Sequence, residues 1–343
     1  MQDRADDVMA VARGGIDLGG TKIQCVVVDE NQKVLGQARV ATPTVGGPAA
    51  VAGAMASAMR EAATDAGLGN TSELAGIGVG SPGAIDEAAG TVSGAGNLPD
   101  WAGAFPLGPK LSEALGTPVT VGNDVGVATD AELLLGAGRQ ASSLIGVFWG
   151  TGVGSGIILD RKPWHGRGAA GEIGHTVVKM GGRRCLCGRR GCLEAYAGRA
   201  AMEARARKLQ AEGRPTDLFK LMEKNGRTRL TSSIWARALE RKDGLATELV
   251  SDAIEALGAG IASAVNLLDV EMIIIGGGLG IRLGQPYVER IKAAMHPHLF
   301  VDERPPEVRL AELGDLGGAI GAALLALKPG SKPVSRRSRA ERT

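Results

Sequence analysis

Residues 171–194, GEIGHTVVKMGGRRCLCGRRGCLE, gather His175 with Cys185, Cys187 and Cys192, three of the chain's four cysteines, and carry Glu172 and Glu194 at their two ends. One imidazole and three thiolates are a complete tetrahedral donor set for Zn²⁺. The spacing His-x9-Cys-x-Cys-x4-Cys is compact, and Gly181, Gly182, Gly188 and Gly191 supply the tight turns that a short knuckle needs. Four protein ligands leave no open coordination position, so this zinc would be structural. Two other readings compete. Disulfides require an oxidising compartment, and three cysteines cannot pair off among themselves. Buried, unpaired thiols are the other. Cys25 stands alone in an apolar run and reads as core.

A second group concerns phosphate. Residues 17–22, DLGGTK, place Gly19 and Gly20 where a turn would expose successive backbone N–H groups to an anion. Around them Asp17 could hold a hydrated Mg²⁺, Thr21 could donate a hydroxyl and Lys22 could meet a phosphate. The pattern recurs. IDLGGTKIQCVVVD, 16–29, aligns without gaps on VFWGTGVGSGIILD, 147–160, with Gly19 on Gly150, Asp29 on Asp160, and Phe148 where Asp17 stands. The repeat predicts two similar lobes. Two cradles, the second being Gly150-Thr151-Gly152, would suit one nucleotide; two tight hairpins with no ligand are the plainer alternative.

A third candidate is Asn123-Asp124, which precedes the helical stretch VGVATDAELLLGAGR. Both residues are favoured helix caps, so the pair could only start a helix. The same position also suits a catalyst. A helix N-terminus favours an ionised carboxylate, which can take the proton of a substrate hydroxyl as phosphate arrives.

The elements that must position these groups alternate between the two periodicities. Apolar runs at 74–80, 117–123 and 270–275 read as strands, and KVLGQARV as another; 49–66, about 245–268, and 315 to about 327 read as helices. Gly276-Gly277-Gly278 follows the last of those strands. The class is α/β. Gly78 to Gly83 fits the dinucleotide pattern G-x-G-x-x-G, but the following AIDEAAGTVSGAGNLPDW is loop-like or a hairpin. A pyrophosphate site needs a helix there, so the match reads as false. No G-x-x-x-x-G-K-[ST] exists.

With 44% apolar and 22% charged residues the chain reads as globular, and its 53 glycines cluster in short tracts after apolar runs. A net charge of +2 does not suggest a nucleic-acid surface. No apolar run reaches a membrane-spanning length, and the acidic start MQDRADDVMA lacks a signal-peptide pattern, which reads as cytoplasmic. SRRSRAERT at the end reads as a disordered tail.

DLGGTK at 17–22, Gly-Thr-Gly at 150–152, GEIGH at 171–175 and CLCGRRGCLE at 185–194 together resemble the ROK family of sugar kinases and related repressors, over roughly residues 13–327. NLPDW at 97–101 resembles the family's NLPGW, with Asp100 in place of glycine. The resemblance implies an actin-like ATPase fold of two ribonuclease-H-like lobes with a zinc knuckle. It implies an N-terminal extension 1–12, a small lobe 13–124 plus 313–328, a large lobe 125–312 with the knuckle at 175–192, and the tail 329–343. Gly83, Asn97, Asn123, Asp124, Glu172, His175 and Glu194 would bind the sugar, His175 with one nitrogen for metal and one for sugar. Asp124 would be the catalytic base. Asp17, Gly19, Gly20, Thr21, Lys22 and Gly150-Thr151-Gly152 would take phosphates, and Gly276-Gly277-Gly278 would lie near the adenosine.

The implied activity is phosphorylation of a hexose 6-hydroxyl by Mg-ATP, glucose first. N-acetylglucosamine, N-acetylmannosamine, mannose and fructose are rivals, and inorganic polyphosphate is a minor alternative donor. A homodimer or homotetramer is implied, without nucleic-acid or membrane partners. The family's Glu-Asn-Asp-Ala-Asn-Ala reads Gly122-Asn123-Asp124-Val125-Gly126-Val127 here, which bears on sugar preference. A repressor would need a DNA-binding domain before the DLGGT strand, where only about a dozen residues stand. A non-catalytic sugar sensor would have no need of both a phosphate cradle and a base.

Overall fold

The computed structural model describes residues 12–96, 98–101 and 103–326. Asn97, residues 1–11 of the expected extension 1–12 and the tail 329–343 lie outside them. The described residues divide into two compact units, one running to Ala131 and resuming at Leu316, the other Glu132–Asp315. The division falls inside the helix Asp124–Leu134.

In the first unit the sheet runs β3-β2-β1-β4-β7, with β1 Arg13–Leu18, β2 Lys22–Val28, β3 Val34–Ala41, β4 Ile77–Ser81 and β7 Val119–Asn123. Strands β1, β2 and β3 are antiparallel neighbours, whereas β1, β4 and β7 are parallel. Between β4 and β7 lies a small antiparallel hairpin, β5 Ala84–Asp86 with β6 Thr91–Ser93. No helix follows Gly83, so the G-x-G-x-x-G match is no dinucleotide motif.

The second unit repeats the plan. Its sheet runs β10-β9-β8-β11-β12, with β8 Leu144–Trp149, β9 Val153–Leu159, β10 Lys162–Pro163, β11 Met272–Gly276 and β12 Glu307–Leu310. Order and strand directions match the first unit. Duplicated sheets of this order are the actin-like ATPase fold. The aligned repeats fall on β1-β2 and β8-β9, yet the cross-strand register differs by one residue. Leu18 pairs with Ile23, but Trp149 pairs with Val153. The second turn is a residue tighter.

Close packing dictates the glycines inside these strands. A methyl on Gly15 or Gly78 would overlap the carbonyls of Ala319 and Ala322, so β1 and β4 admit the helix Gly317–Leu325 directly onto their backbones. The first unit's core is built on Ile16, Leu18, Ile23, Met55 and Met59, the last two from the alanine-rich helix Gly47–Asp65. Cys25 belongs to it, and burial, aided by the Asp17 carboxylate, pushes its thiol well up, as suits an inert core residue.

The second unit packs the long helix Gly244–Leu268 and its neighbours around Trp149 and Trp235, both fully buried. Among the described residues no helix is long and apolar enough to cross a membrane.

Candidate functional site

In the first unit, Asp17, Asn123 and Asp124 lie at the carboxyl ends of the parallel strands β1 and β7, with β4 between them. Asp17 of β1 is level with Gly80 of β4, and Ser81 of β4 is level with Asn123 of β7. Open α/β sheets bind ligands at this end. With strands about 4.8 Å apart, Asp17 and Asn123 stand about 10 Å from each other. Asp17 packs on the first turn of the helix Gly317–Leu325, where a β-carbon at Gly318 would come within 2.8 Å of its carboxyl carbon.

The Gly19–Lys22 turn is shaped from outside. The Gly19 N–H donates to the Lys22 carbonyl at 2.9 Å, and the Thr42 hydroxyl donates to the Gly19 carbonyl at 2.6 Å. With those carbonyls engaged, Gly19 and Gly20 are partly exposed and Thr21 is exposed. Gly83 has a φ of +97°, and a β-carbon there would lie 2.6 Å from the Ser93 carbonyl, so only glycine serves.

Asn123 and Asp124 divide the two readings between them. The Asn123 Oδ1 accepts the Gly126 N–H at 3.0 Å, which is a helix cap. Its amide nitrogen, with two N–H donors, is the group left wholly to a ligand. Asp124 is the first helical residue, half-buried, and its Oδ1 accepts the Val125 N–H at 2.9 Å. Its carboxylate is oriented by that bond.

The second unit holds the other cradle. The Gly150 N–H donates to the Gly152 carbonyl at 3.0 Å, while the Gly150 and Thr151 carbonyls accept the N–H groups of Arg199 and Ala200 at 3.1 and 3.0 Å. The first turn of the helix Arg199–Ala211 therefore grips the hairpin. Gly277, at φ +78°, lies against the Trp149 backbone, where a β-carbon would come within 2.6 Å. A β-carbon on Gly150 would lie 3.9 Å from the Gly278 nitrogen. The fold thus joins two glycine tracts that lie far apart in sequence.

The GEIGH segment owes its form to close approach. Gly171, at φ +89°, and Gly174 have no room for a side chain against the Ser155 and Val153 carbonyls of β9, while Ile173 between them is buried in the core. The loop is pinned flat, Glu172 is exposed and His175 is half-buried. At the far end of the cysteine motif Glu194 turns inward, its Oε2 accepting the Val153 N–H at 3.0 Å. One oxygen of this expected sugar ligand therefore already serves the hairpin.

His175, Cys185, Cys187 and Cys192 bring one donor atom each to within 4.8 Å of one another. The Cys187 and Cys192 sulfurs are 3.7 Å apart, and the Cys185 sulfur is 3.8 Å from His175 Nδ1. A tetrahedral zinc with Zn–S of about 2.3 Å and Zn–N of about 2.0 Å separates sulfur from sulfur by about 3.8 Å and sulfur from nitrogen by about 3.5 Å. The donor set and spacing fit Zn²⁺, and a 3.7 Å sulfur separation is no disulfide. Nδ1 faces the cluster, which leaves Nε2 for a second partner. Burial pushes the Cys185 thiol up to about 12 and also raises Cys192, while the Arg189 N–H holds Cys187 down at about 7. A cation bound here would displace the protons of the two buried thiols. The knuckle is seated on the long helix by Cys185, Cys192, Tyr196 and Ala256.

The sequence did not single out Arg199. It is buried, and its guanidinium donates to the Thr151 hydroxyl at 2.8 Å and to the Leu230 carbonyl at 2.7 Å. An arginine among the charges of RAAMEARARKL carries no signal that would mark it as buried.

The chain is similar to known proteins over most of its length. A sequence model of the ROK family matches residues 13–329. A glucokinase of Halalkalibacterium halodurans is 34% identical over 316 residues, 91% of this chain and 93% of that protein. An N-acetylmannosamine kinase of Haemophilus influenzae is 31% identical over 90% of this chain and 93% of its own. The crystal structure of a ROK family glucokinase from Streptomyces griseus, in complex with glucose and AMPPNP, matches with a TM-score of 0.79 at 32% identity, covering 92% of this chain and 99% of that one.

Proposed function

The chain belongs to the ROK family, and on that premise we propose that it is an ATP-dependent hexose kinase that phosphorylates the 6-hydroxyl, with glucose as first candidate. The observation that carries the reading is the placement of Asp124. A partly exposed carboxylate heads a helix at the carboxyl end of β7 and is oriented by the Val125 N–H, in the same strand-end row as Asp17. Such a carboxylate is placed to accept a hydroxyl proton. The O6–Pγ bond forms as the bond from Pγ to the β,γ-bridging oxygen breaks. The O6 proton passes to Asp124, and ADP leaves.

The other residues then have defined tasks. Glu172, the Nε2 of His175 and the remaining oxygen of Glu194 take sugar hydroxyls, joined by Gly83, Asn97 and the Asn123 amide. The N–H groups of Gly19-Gly20-Thr21 and Gly150-Thr151-Gly152 take phosphate oxygens, with Lys22 beside the first. Asp17 would hold the hydrated Mg²⁺ that accompanies ATP, and Gly276-Gly277-Gly278 lie on the nucleoside side. Zinc on His175, Cys185, Cys187 and Cys192 would supply no chemistry beyond fixing the loops that carry Glu172 and Glu194.

A second reading has specific support. The N-acetylmannosamine kinase is nearly as similar to the chain as the glucokinase. The residues beside the base, Val125-Gly126-Val127, also depart from the family's usual Ala-Asn-Ala. The test is ADP release from Mg-ATP with purified zinc-loaded protein, over glucose, mannose, fructose, N-acetylglucosamine and N-acetylmannosamine. Turnover with glucose at least about tenfold above the others supports the first reading. Preference for an N-acetylhexosamine moves the assignment, and no turnover with any sugar rejects a hexose kinase using ATP.

A further inference from the structure

Arg199 is a buried charged side chain that the proposed function leaves without a task. It is 8% exposed and sits at the first turn of the helix Arg199–Ala211. Its two terminal nitrogens donate to the Thr151 hydroxyl and the Leu230 carbonyl, while its Nε is buried with no partner. Among the described residues it forms no ion pair; Glu203 offsets its charge only at longer range, and Arg229 opposes it. Glu203 is spent elsewhere, on Arg207, Arg229 and the Leu230 N–H. Those bonds fix the Leu230 carbonyl that Arg199 uses.

The bond to Thr151 has a direction that chemistry imposes. A guanidinium only donates, so the Thr151 oxygen must accept. The hydroxyl hydrogen is thereby turned away from Arg199, and no protein group among the described residues accepts it. An unclaimed donor on a glycine turn, with a buried cation behind it that has no direct ion-pair partner among the described residues, asks for an anionic acceptor.

We propose that Arg199 is a positioning residue for the phosphate chain of the nucleotide: it locks the Thr151 hydroxyl as a donor and backs the Gly150–Gly152 cradle with positive charge. The ligand class is a nucleoside polyphosphate. The inference rests on the kinase reading and deepens it. It makes Arg199 act through Thr151, so the two should behave as one unit. It also confines the effect to the nucleotide, leaving the sugar alone.

The test is titration of the full-length zinc-loaded protein with Mg-AMPPNP, paired with KM values for ATP and sugar. Arg199→Met and Thr151→Val should each weaken AMPPNP roughly 10- to 100-fold, with KM for sugar within about twofold. The double variant should be no more than about threefold worse than the worse single. Arg199→Lys should recover part of the loss, and Thr151→Ser should bind AMPPNP at least about fivefold more tightly than Thr151→Val, because it keeps the hydroxyl. Unchanged AMPPNP binding in Arg199→Met, multiplying losses in the double variant, or equal losses for sugar and nucleotide would overturn the proposal. If Arg199→Met does not fold, the comparison of Thr151→Ser with Thr151→Val decides, and equal affinities overturn it. Wild-type protein that binds AMPPNP but phosphorylates no sugar rejects the kinase reading alone. Wild-type protein that binds no AMPPNP rejects both.

Discussion

The Oε2 of Glu194 accepts the backbone N–H of Val153 at 3.0 Å. Glu194 follows the last cysteine of the knuckle by two residues, and Val153 opens β9 directly after the Gly150–Gly152 turn. One carboxylate therefore ties the cysteine motif to the hairpin of its own unit. Gly152 must be glycine for this, because a side chain there would occupy the place of the Glu194 oxygen. The neighbouring Trp149 adds a second tie, its indole N–H donating to the Ala197 carbonyl at 2.7 Å.

Truncation and charge removal at Glu194 should separate its two tasks. Glu194→Ala strands the Val153 N–H and should cost about 1–3 kcal/mol of stability, read by denaturant unfolding. Glu194→Gln keeps an acceptor for that N–H and should hold most of the stability, while the sugar KM still rises several-fold. Equal stability loss in both variants would show that the hydrogen bond is not the relevant contact.

The knuckle predicts one zinc per chain in protein purified without chelator, measured by elemental analysis. Removing it should lower Tm, because the ribbon's few apolar contacts on Ala256 and Tyr196 do not replace four metal bonds. Cys187→Ser should lose the metal as fully as Cys192→Ser, although Cys187 is exposed and Cys192 buried. Zinc retained at full occupancy in Cys187→Ser would remove that cysteine from the ligand set.

How much of this was legible in the chain follows from what carries each feature. The paired hairpins could be read because each is a local string of glycines between apolar runs. Their one-residue difference in register could not, since it appears only when Leu18 is matched to Ile23 and Trp149 to Val153. Glu172 and His175 were legible as types, but the reason for the glycines around them lies in the β9 backbone, which comes earlier in the chain. Asn123 was an open choice between cap and ligand, and its bond to the Gly126 N–H assigns its oxygen to the cap. Arg199 was hidden altogether, because burial of one arginine in a charged helix depends on tertiary contacts with Thr151 and Leu230.

Glu203 gives a pH-dependent prediction. Burial works against its ionisation, but hydrogen bonds from Arg207 and the Leu230 N–H, with Arg229, outweigh it and hold the carboxyl below its usual range. A folded-state value below the unfolded one stabilises above the unfolded pKa, about 4.3, and that contribution fades as pH falls through the folded value. Glu203→Gln should therefore lower Tm most at neutral pH, with the gap to wild type narrowing below about pH 4. A gap that is constant from pH 7 to pH 3 would mean that the charge on Glu203 contributes nothing and packing accounts for the loss.

Asp124 carries the sharpest consequence of the proposed chemistry. Asp124→Asn keeps an oxygen for the Val125 N–H, so the start of the helix Asp124–Leu134 should survive with little change in Tm. It removes the group that takes the O6 proton, so kcat should fall by roughly 10²–10⁴ while KM for sugar and ATP move little. The Asn123→Ala variant is the control for local structure: it deletes the cap on Gly126 and should cost about 1 kcal/mol, with a smaller effect on kcat. If Asp124→Asn turned over at the wild-type rate, the carboxylate would be only a helix-starting residue, and the base would have to be sought elsewhere.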